Sequence, residues 1–407
     1  MSRRLEVRLH ELPVGQLAEM PDGTVEFRFS QAYREIVPRP VLGQKLEDDL
    51  AKSYRSRKGE KLPDFFANLV PEGHLRDVLE QAADLEREDD LAFLAFVGGD
   101  LPGAVTVHLV ADEAPGRFVA EPSSTREEGQ TEEGLRFSLA GVQLKFSMLR
   151  EGDKLTLPAS SRGGEWVVKF DSAVYSRLPE NEFSMLEWAR GAGFDVPECH
   201  LQDLDAVEDP PRRYAPPGKV LVIRRYDRSP GGRIHQEDFA QAVGLPPREK
   251  YGQVQYEVMA RLARRFIDEN AVDELIRRLV FVIASGNNDA HLKNWSLVYP
   301  DRIHARWAPL YDQVATVAWP EPDRALALKL AGVKEFHRID RQAFERFAQK
   351  AHLEPRRVFD VVGETLERLR SVWPDLKPGL PLPPAHVQAL REHWRAVPIL
   401  RESGALD

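Results

Sequence analysis

The chain has 407 residues, enough for two or three domains, and 42% apolar with 30% charged residues is typical of a globular protein. Its net charge of -9 argues against a uniformly basic surface for binding nucleic acid. No apolar run approaches the ~18 residues that a membrane helix needs. The single cysteine, Cys199, excludes an intramolecular disulfide and a cysteine-based zinc cluster. Because residues 1–4 lead into an alternating strand, we expect no signal peptide and a cytoplasmic protein.

The opening stretch predicts a small α+β domain. Residues 5–10 and 25–29 both alternate apolar and polar side chains, and the turn signal Pro-Asp-Gly at 21–23 lies between them. This pattern predicts an antiparallel hairpin formed by these two strands. Helices are predicted over 75–96 and a further strand over 104–110.

Composition changes after this first domain, which we delimit at 1–110. Residues 111–134 are dominated by Pro, Gly, Ser, Thr and Glu, which predicts a linker. The next stretch, 135–146, contains the pattern Ser-x-x-Gly-x-Gln-x-Lys from Ser138 to Lys145 between two strand-like halves. Small residues there would let backbone N–H groups approach an anion, although the pattern by itself is better explained by a plain hairpin with exposed polar residues.

The apolar strand predicted over 165–170 carries a lysine, Lys169. A charge in a buried strand is costly unless it is paired, so we expect Lys169 to meet an acidic partner or ligand phosphates. The alternative is an edge strand whose lysine points to water. Glu182, near the start of a helix predicted over 181–191, is placed to pair with Lys169 as in the lysine–glutamate pair of kinases. A first-turn acid that favours the helix dipole is the alternative for Glu182.

A central strand is predicted over 219–228, and in a two-lobed kinase the segment after such a strand is the hinge that meets the adenine. Residues 234–239 are then expected to begin a helix with early acids. Apolar side chains at helical spacing predict further helices over 254–268, 274–285, 340–352, 355–373 and 385–396. Arginines that lie on these helices are interpreted as solvated faces, with DNA contact as a secondary hypothesis.

The stretch 285–294 carries the residues that point to chemistry. Asp289 and Asn294 are five residues apart on a Gly- and Asn-bearing turn, which is the separation found in the kinase catalytic loop. Phosphoryl transfer needs a carboxylate to orient or deprotonate a hydroxyl, and an amide oxygen a few residues on to hold a metal. Asp312 follows another predicted strand, where a kinase has its second metal carboxylate. An Asn-Asp turn alone is more often only a turn, but these pieces in this order favour a kinase.

With these residues assembled, the chain resembles the HipA family of bacterial serine/threonine kinases that act as toxins of type II toxin–antitoxin modules. The resemblance runs from about residue 5 to about residue 375. The segments that carry it are 99–105, 138–145, 235–239, 286–294 and 310–312.

The resemblance implies a role for individual residues and implies ATP and Mg²⁺ as cofactors. Asp289 matches the catalytic aspartate, Asn294 and Asp312 match the magnesium ligands, Lys169 matches the lysine on the ATP phosphates, and Ser138 matches a self-phosphorylated serine. The remaining positions that it implies around the nucleotide are Ala140, Gly141, Val142, Gln143, Leu144, Lys145, Arg224, Arg225, Tyr226, His291, Lys293 and Tyr311. His291 is expected to orient the loop, because Asp289 already fills the role of the base.

Two departures from the family pattern stand out. Asn288 precedes Asp289 where family members often carry Thr, which puts the fine geometry of the loop in doubt. The tail over 376–407 is proline-bearing and less clearly matched, so its role is open.

The resemblance also implies partners. These are a small HipB-like antitoxin with a helix-turn-helix fold, operator DNA reached mainly through that antitoxin, and a protein substrate for which an aminoacyl-tRNA synthetase is one candidate. No membrane partner is expected.

The sequence therefore predicts an α+β, two-lobed protein-kinase-like fold with a small N-terminal α+β subdomain and a mostly helical C-terminal lobe. The lobes are placed at 135–230 and 231–375. The predicted function is that of an ATP-dependent serine/threonine kinase toxin. Two alternatives are a catalytically silent kinase-fold co-repressor that acts with a DNA-binding antitoxin, and a small-molecule kinase of the aminoglycoside-phosphotransferase type.

Overall fold

The computed structural model combines two five-stranded antiparallel sheets with a lobe made mainly of helices. The residues that it describes are 3–83, 85, 89–110, 145–151, 154–156, 164–208, 210, 216–320, 323–402 and 404.

The first sheet has the strand order β4-β3-β2-β1-β5. Its strands are β1 (Arg4–Leu9), β2 (Leu12–Glu19), β3 (Val25–Phe29), β4 (Tyr54–Arg55) and β5 (Val105–Leu109). The helices between β3 and β5 are α1 (Gln31–Arg34), α2 (Asp64–Ala67), α3 (Gly73–Ala82) and α4 (Asp90–Val97).

The predicted pairing of the opening hairpin was wrong, because β2 lies between β1 and β3. β1 pairs with β2 and β5, and the turn at 21–23 joins β2 to β3 instead. Pro13 and Gly15 interrupt the strand pattern of β2 in the sequence. In the sheet, Gly15 is required by space, since an added Cβ would lie 2.3 Å from the carbonyl oxygen of Arg28.

The second sheet has the order β7-β6-β8-β10-β9 and packs on the first. Its strands and helix are β6 (Lys145–Glu151), β7 (Lys154–Thr156), β8 (Trp166–Lys169), α5 (Leu178–Gly191), β9 (Cys199–Asp203) and β10 (Lys219–Arg224). One face contributes side chains such as Val168 and Val222 to a hydrophobic core that also contains Leu5 and Val7 of the first sheet. The two sheets therefore share one core.

The rest of the chain forms the helical lobe. Its strands are β11 (Arg228–Ser229), β12 (Gly232–Arg233), β13 (His235–Asp238), β14 (Ser296–Tyr299), β15 (Arg306–Trp307), β16 (Ala325–Leu330) and β17 (Val333–Glu335). Its helices are α6 (Phe239–Val243), α7 (Tyr256–Phe266), α8 (Asn270–Ser285), α9 (Arg341–Ala351), α10 (Pro355–Leu376), α11 (Pro384–Ala396) and α12 (Pro398–Glu402).

The helix expected to begin within 234–239 begins only at Phe239. Residues 235–238 form β13, which pairs with β14 about sixty residues later in the chain. Asp238 is the N-cap of α6, and it forms a capping box with Gln241. The early acids were thus correctly associated with a helix start, but most of the segment is strand because of a long-range pairing.

The tail whose role was open is part of the helical core. Trp394 of α11 is fully buried and lies against Trp188 and Trp373, with ring centroids 5.8 and 5.4 Å away. The indole N–H of Trp394 donates to the Ala284 carbonyl at 2.7 Å, and His393 Nε2 donates to the Ile283 carbonyl at 2.7 Å. Carbonyls in the last turn of a helix lack the usual intrahelical donors. Trp394 supplies a donor to Ala284, and His393 adds a second donor to Ile283, whose carbonyl also accepts the Gly286 backbone N–H at 3.2 Å.

Across the part of the chain that the structure describes, no helix is both long and apolar enough to cross a bilayer.

Candidate active site

A cleft opens between the second sheet and the helical lobe. The side chains that line it come from the N-terminal region, from the second sheet and from the lobe. They are Asn68, Pro102, Val167, Lys169, Pro197, Ile223, Arg224, Arg225, Tyr226, Asp227, Gln236, Asp238, Gln241, Lys293, Ser296, Tyr311 and Asp312. Seven of these were predicted from the sequence as nucleotide-binding positions.

Lys169 joins the two lobes at this cleft. Its ammonium donates to Glu182 Oε1 of α5 at 2.5 Å and also to the Asp312 carboxylate. Lys169 is 4% exposed, and burial alone would lower its pKa, but the carboxylates of Asp312 and Glu182 raise the pKa so that the ammonium stays charged. The structure thus brings Asp312 of the lobe to Lys169 and Glu182, which lie far earlier in the sequence.

The position of Lys169 follows from its strand. β8 lies between β6 and β10, so the edge-strand alternative does not hold. The backbone of Lys169 faces Leu221 on one side and Lys145 on the other. A buried charge in such a central strand needs partners, and the two carboxylates supply them.

The residues of the predicted catalytic loop, 285–294, are held by the end of α8. Gly286 ends the helix at φ 64°, and an added Cβ there would lie 2.5 Å from Val317. The Asn287 amide then bridges two loops, since its Oδ1 accepts the Asp289 backbone N–H at 3.0 Å and its Nδ2 donates to the Asp312 carbonyl at 3.3 Å. Asn287 therefore fixes the two carboxylate-bearing segments relative to each other.

Asn294 closes the same loop from its other end. Its Nδ2 donates to the Asp289 carbonyl at 3.0 Å, which leaves the amide oxygen as an acceptor. Asp289 itself has an exposed side chain. The five-residue separation seen in the sequence is thus the span of a hydrogen-bonded loop.

His291 and Lys293 lie inside this loop and are buried. Burial, together with the ammonium groups of Lys250 and Lys293, lowers the pKa of His291 to about 3, so the imidazole is neutral at pH 7. Lys293 donates to Glu72 Oε1 at 2.7 Å and to the Asn68 carbonyl at 3.1 Å. Its ammonium is therefore engaged with the N-terminal region at the edge of the cleft.

Glu72 binds two lysines at once. Lys250 donates to its second oxygen at 2.8 Å. Burial alone would raise the pKa of Glu72, but the two ammonium groups lower it to about 2. An acidic residue from the N-terminal region therefore anchors the catalytic loop.

The two arginines at the predicted hinge, Arg224 and Arg225, differ in burial and in what they bind. Arg224 is half-exposed and lies at 3.6 Å from Glu198, whereas the Arg225 guanidinium is buried away from solvent. Arg225 binds Asp227 at 2.8 and 2.9 Å and Asp100 at 3.1 Å. The side chain of Arg225 is thus part of the scaffold, and it ties the hinge to the first 110 residues.

Two tyrosines form one wall of the cleft. Tyr226 and Tyr311 have ring centroids 5.6 Å apart, and the Tyr226 hydroxyl donates to Gln236. The Tyr311 hydroxyl donates to the Lys293 carbonyl at 2.9 Å and lies 2.6 Å from Ser296 Oγ. Aromatic faces at this place offer a flat apolar surface beside the hinge.

The phosphate-loop predictions fall largely outside the described residues. This holds for Ser138, Ala140, Gly141, Val142, Gln143 and Leu144. The backbone of Lys145 is described and begins β6 directly opposite Lys169. These positions remain predictions.

Three residues near the site carry no local pattern in the sequence. Asn68, which lines the cleft, and Glu72 belong to the N-terminal region, and Tyr251 lies in the loop between α6 and α7. Each reaches the site through a contact with a residue more than 35 positions away. The segment Asn-Leu-Val-Pro-Glu at 68–72, between α2 and α3, carries the one sequence signal for Asn68 and Glu72. A loop with an apolar middle and polar ends indicates that its polar ends have buried partners.

The donor set fits a magnesium ion. Among the described residues there is no cluster of three or more His, Cys, Asp or Glu side chains that could hold a metal on its own. Mg²⁺ however needs only one or two protein oxygens, because substrate phosphates and water complete its octahedron. The Asn294 amide oxygen and the Asp312 carboxylate are such hard oxygen donors.

Comparison with known sequences gives a consistent set of similarities. Residues 137–373 match the family model described as "HipA-like C-terminal domain", and residues 5–108 match that described as "HipA N-terminal domain". The protein Y4dM of Sinorhizobium fredii, named as a candidate kinase, is 40% identical over 405 residues, which cover 98% of each chain. The serine/threonine-protein kinase toxin HipA of Shewanella oneidensis is 25% identical over 299 residues, which cover 65% of this chain and 66% of that one.

A solved structure shares the fold over nearly the full length. It is the Shewanella oneidensis MR-1 HipA in its complex with HipB and operator DNA, with a TM-score of 0.74, 20% identity, and coverage of 99% of this chain and 98% of that chain. The likeness confirms the predicted α+β, kinase-like fold with its N-terminal α+β part and mostly helical C-terminal lobe.

Proposed function

We propose that this chain, which belongs to the HipA family, is an ATP-dependent serine/threonine protein kinase that acts as the toxin of a type II toxin–antitoxin module. The observation that carries the proposal is the meeting of Lys169, Glu182 and Asp312 beside the hydrogen-bonded loop of Asp289 and Asn294. A cation on a central strand, an acidic helix partner and two oxygen-bearing loops are the parts that phosphoryl transfer uses.

In this proposal the cleft holds the nucleotide. Val167 and Ile223 offer apolar side chains to the adenine at the hinge end, and Lys169 neutralises charge on the α- and β-phosphates. Asn294 and Asp312 would hold Mg²⁺, which supplies further neutralisation of phosphate charge when bound. Neutral His291 orients the loop and leaves the role of the base to Asp289.

Asp289 orients the acceptor hydroxyl and accepts its proton. The acceptor oxygen attacks the γ-phosphorus in line, the bond between that phosphorus and the β,γ-bridging oxygen breaks, and ADP leaves with the electron pair. Asp289 is a solvent-exposed residue at the surface of the molecule, which supports transfer to serine or threonine of a macromolecule.

An Asp289→Asn variant tests the proposal. Phosphate transfer should fall by about 10³-fold or more, because a neutral amide replaces the carboxylate that accepts the proton of the acceptor hydroxyl. The measurement is incorporation of γ-phosphate from radiolabelled ATP into the chain and into dephosphorylated casein, with site mapping at Ser138 and with unfolding curves to show that the variant folds. Equal transfer by parent and variant would exclude Asp289 as the catalytic residue.

The partners belong to the same proposal. The HipA–HipB–operator complex of the structural relative supports a HipB-like antitoxin for this chain and DNA contact mainly through it. A cytoplasmic protein substrate, with an aminoacyl-tRNA synthetase as candidate, and self-phosphorylation at Ser138 remain parts of the proposal. A parent protein that binds ATP but transfers no phosphate would favour the co-repressor alternative.

A further inference from the structure

A tyrosine hydroxyl already lies on the proposed catalytic aspartate. The Tyr251 hydroxyl donates a hydrogen bond to Asp289 Oδ1 at 2.6 Å. The Tyr251 ring also packs edge-on against the His291 ring, with centroids 5.0 Å apart and planes at 84°. The hydroxyl is therefore held in front of the catalytic carboxylate by a bond and by a ring contact.

The chain on both sides of Tyr251 is anchored, whereas the Tyr251 side chain is only partly buried. Lys250 is 7% exposed, binds Glu72, and accepts the Leu292 backbone N–H at 3.2 Å. Val254 is 9% exposed and packs in the core of the helical lobe. Tyr251 itself is 45% exposed and is followed by Gly252 at φ 82°. The ring can rotate into solvent while its backbone stays attached to the catalytic loop.

The phenol is in the protonated form that donates. Burial and the neighbouring Asp289 carboxylate raise the pKa of Tyr251 above its ordinary value. The oxygen of a protonated phenol beside a carboxylate has the same donor chemistry as the hydroxyl of a serine or threonine acceptor.

We propose that the Tyr251 hydroxyl occupies the acceptor's place on Asp289, so that a protein acceptor must displace it before phosphate transfer. The inference rests on the proposed function, because it concerns the acceptor side of the same site. Tyr251 thereby selects acceptors: only a polypeptide whose other contacts offset the lost hydrogen bond and ring contact gains access to Asp289. Water and small molecules with a hydroxyl group lack those additional contacts with the protein.

The displacement has a kinetic signature that a positioning role lacks. Removal of the hydroxyl lowers the cost of acceptor binding, so KM for the acceptor falls while kcat is unchanged. If Tyr251 merely positioned the Asp289 carboxylate for reaction, removal of its hydroxyl would instead lower kcat and leave KM unchanged.

A Tyr251→Phe variant of the full chain distinguishes these roles, because it keeps the ring on His291 and removes only the donor. With dephosphorylated casein as acceptor at saturating ATP, KM should fall roughly three- to tenfold, the effect of one charge-assisted hydrogen bond at a partly exposed site. Hydrolysis of ATP without acceptor should rise by a similar factor. The matched control is Tyr54→Phe on β4, which removes a hydroxyl that donates to the carbonyls of Leu46 and Asp49, away from the cleft.

The possible failures are separable. If Asp289→Asn transfers phosphate like the parent, or if the parent transfers none to casein, to itself or to water, the proposed function fails and this inference with it. If Asp289→Asn is inactive while Tyr251→Phe shows a lower kcat or no change in KM and hydrolysis, only the inference is overturned. Phosphotyrosine at position 251 in the parent would also overturn it, since the residue would then be an acceptor itself.

Discussion

Two ionic clusters border the cleft, and they differ in how far they are closed to solvent. The hinge cluster consists of Asp100, Arg225, Asp227 and Arg228, whose side chains are 3, 1, 4 and 9% exposed. The phosphate-side cluster consists of Lys169, Glu182 and Asp312, and here the Asp312 side chain is 22% exposed. In the first cluster every arginine bonds to both aspartates, whereas in the second two carboxylates share one ammonium.

The difference in exposure indicates that the hinge cluster has a structural role and that the phosphate-side cluster belongs to the candidate active site. A closed set of paired charges holds geometry and offers nothing to a ligand, and its loss leaves buried charges without partners. A cluster with a solvent-facing carboxylate can exchange partners when a nucleotide and a metal arrive. We therefore expect substitutions in the hinge cluster to act on stability and those in the phosphate-side cluster and its loop to act on catalysis.

The largest effect on stability is expected for Arg225→Met. It leaves Asp100 and Asp227 buried without their main cation and should lower the free energy of unfolding by about 3–5 kcal/mol. Denaturant unfolding at pH 7 measures it. The neighbouring Arg224→Met is the control, because that half-exposed arginine is 3.6 Å from Glu198 and should cost less than about 1 kcal/mol. Equal losses in the two variants would contradict the division between scaffold and site.

A second prediction concerns pH and the contact between the N-terminal region and the lobe. Burial raises the pKa of Glu237 to about 8, although its carboxyl accepts the Gln44 backbone N–H at 2.9 Å and the Tyr299 hydroxyl. Between the ordinary value of 4.5 and 8 the folded state keeps a proton that the unfolded state has lost. Stability due to this group is therefore full below pH 4.5 and falls with rising pH, by at most about 1.4 kcal/mol per pH unit.

Glu237→Gln should remove this dependence. Unfolding curves of parent and variant at pH 5 to 9 should show that the parent loses stability relative to the variant as pH rises. A constant difference between the two proteins across this range would show that Glu237 is not protonated in the folded state.

The smallest effect is expected for Glu72→Gln, which sharpens the comparison from the side of the catalytic loop. Because the folded pKa of Glu72 is lowered to about 2, its stabilisation is present above pH 4.5 and is lost as pH falls through 2. We expect a loss of about 2–3 kcal/mol at pH 7, and a smaller kcat because Lys293 loses its anchor. The stability difference between parent and variant should vanish near pH 2. Persistence of the difference there would assign it to packing instead of charge.

The parts of the site that could be predicted are those whose signal lies within one short segment of the sequence. Asp289 and Asn294 share one hydrogen-bonded loop, and Lys169 stands out because a lone charge interrupts an apolar strand. The helices of the lobe were predicted for a similar reason, since apolar spacing is visible within each segment. Convergence of Lys169 with Asp312 was expected from the resemblance, and it brings together two residues that are 143 positions apart in the chain.

What could not be predicted depends on distant partners. Residues 235–238 are a strand only because β14 pairs with them, and β2 is a strand in spite of Pro13 and Gly15 because β1 and β3 flank it. Glu72 and Tyr251 carry ordinary loop sequences, and only the tertiary fold brings them to Lys293 and Asp289.

The bonds from Trp394 and His393 to α8 have a bearing on protein synthesis. They join groups 110 residues apart, so the last turn before the catalytic loop gains these donors only after the ribosome has added that length of chain. A nascent polypeptide that ends before α11 would leave the Ile283 and Ala284 carbonyls without them. Prematurely terminated products should therefore carry an incompletely supported loop, and the complete set of contacts around it forms only late in translation.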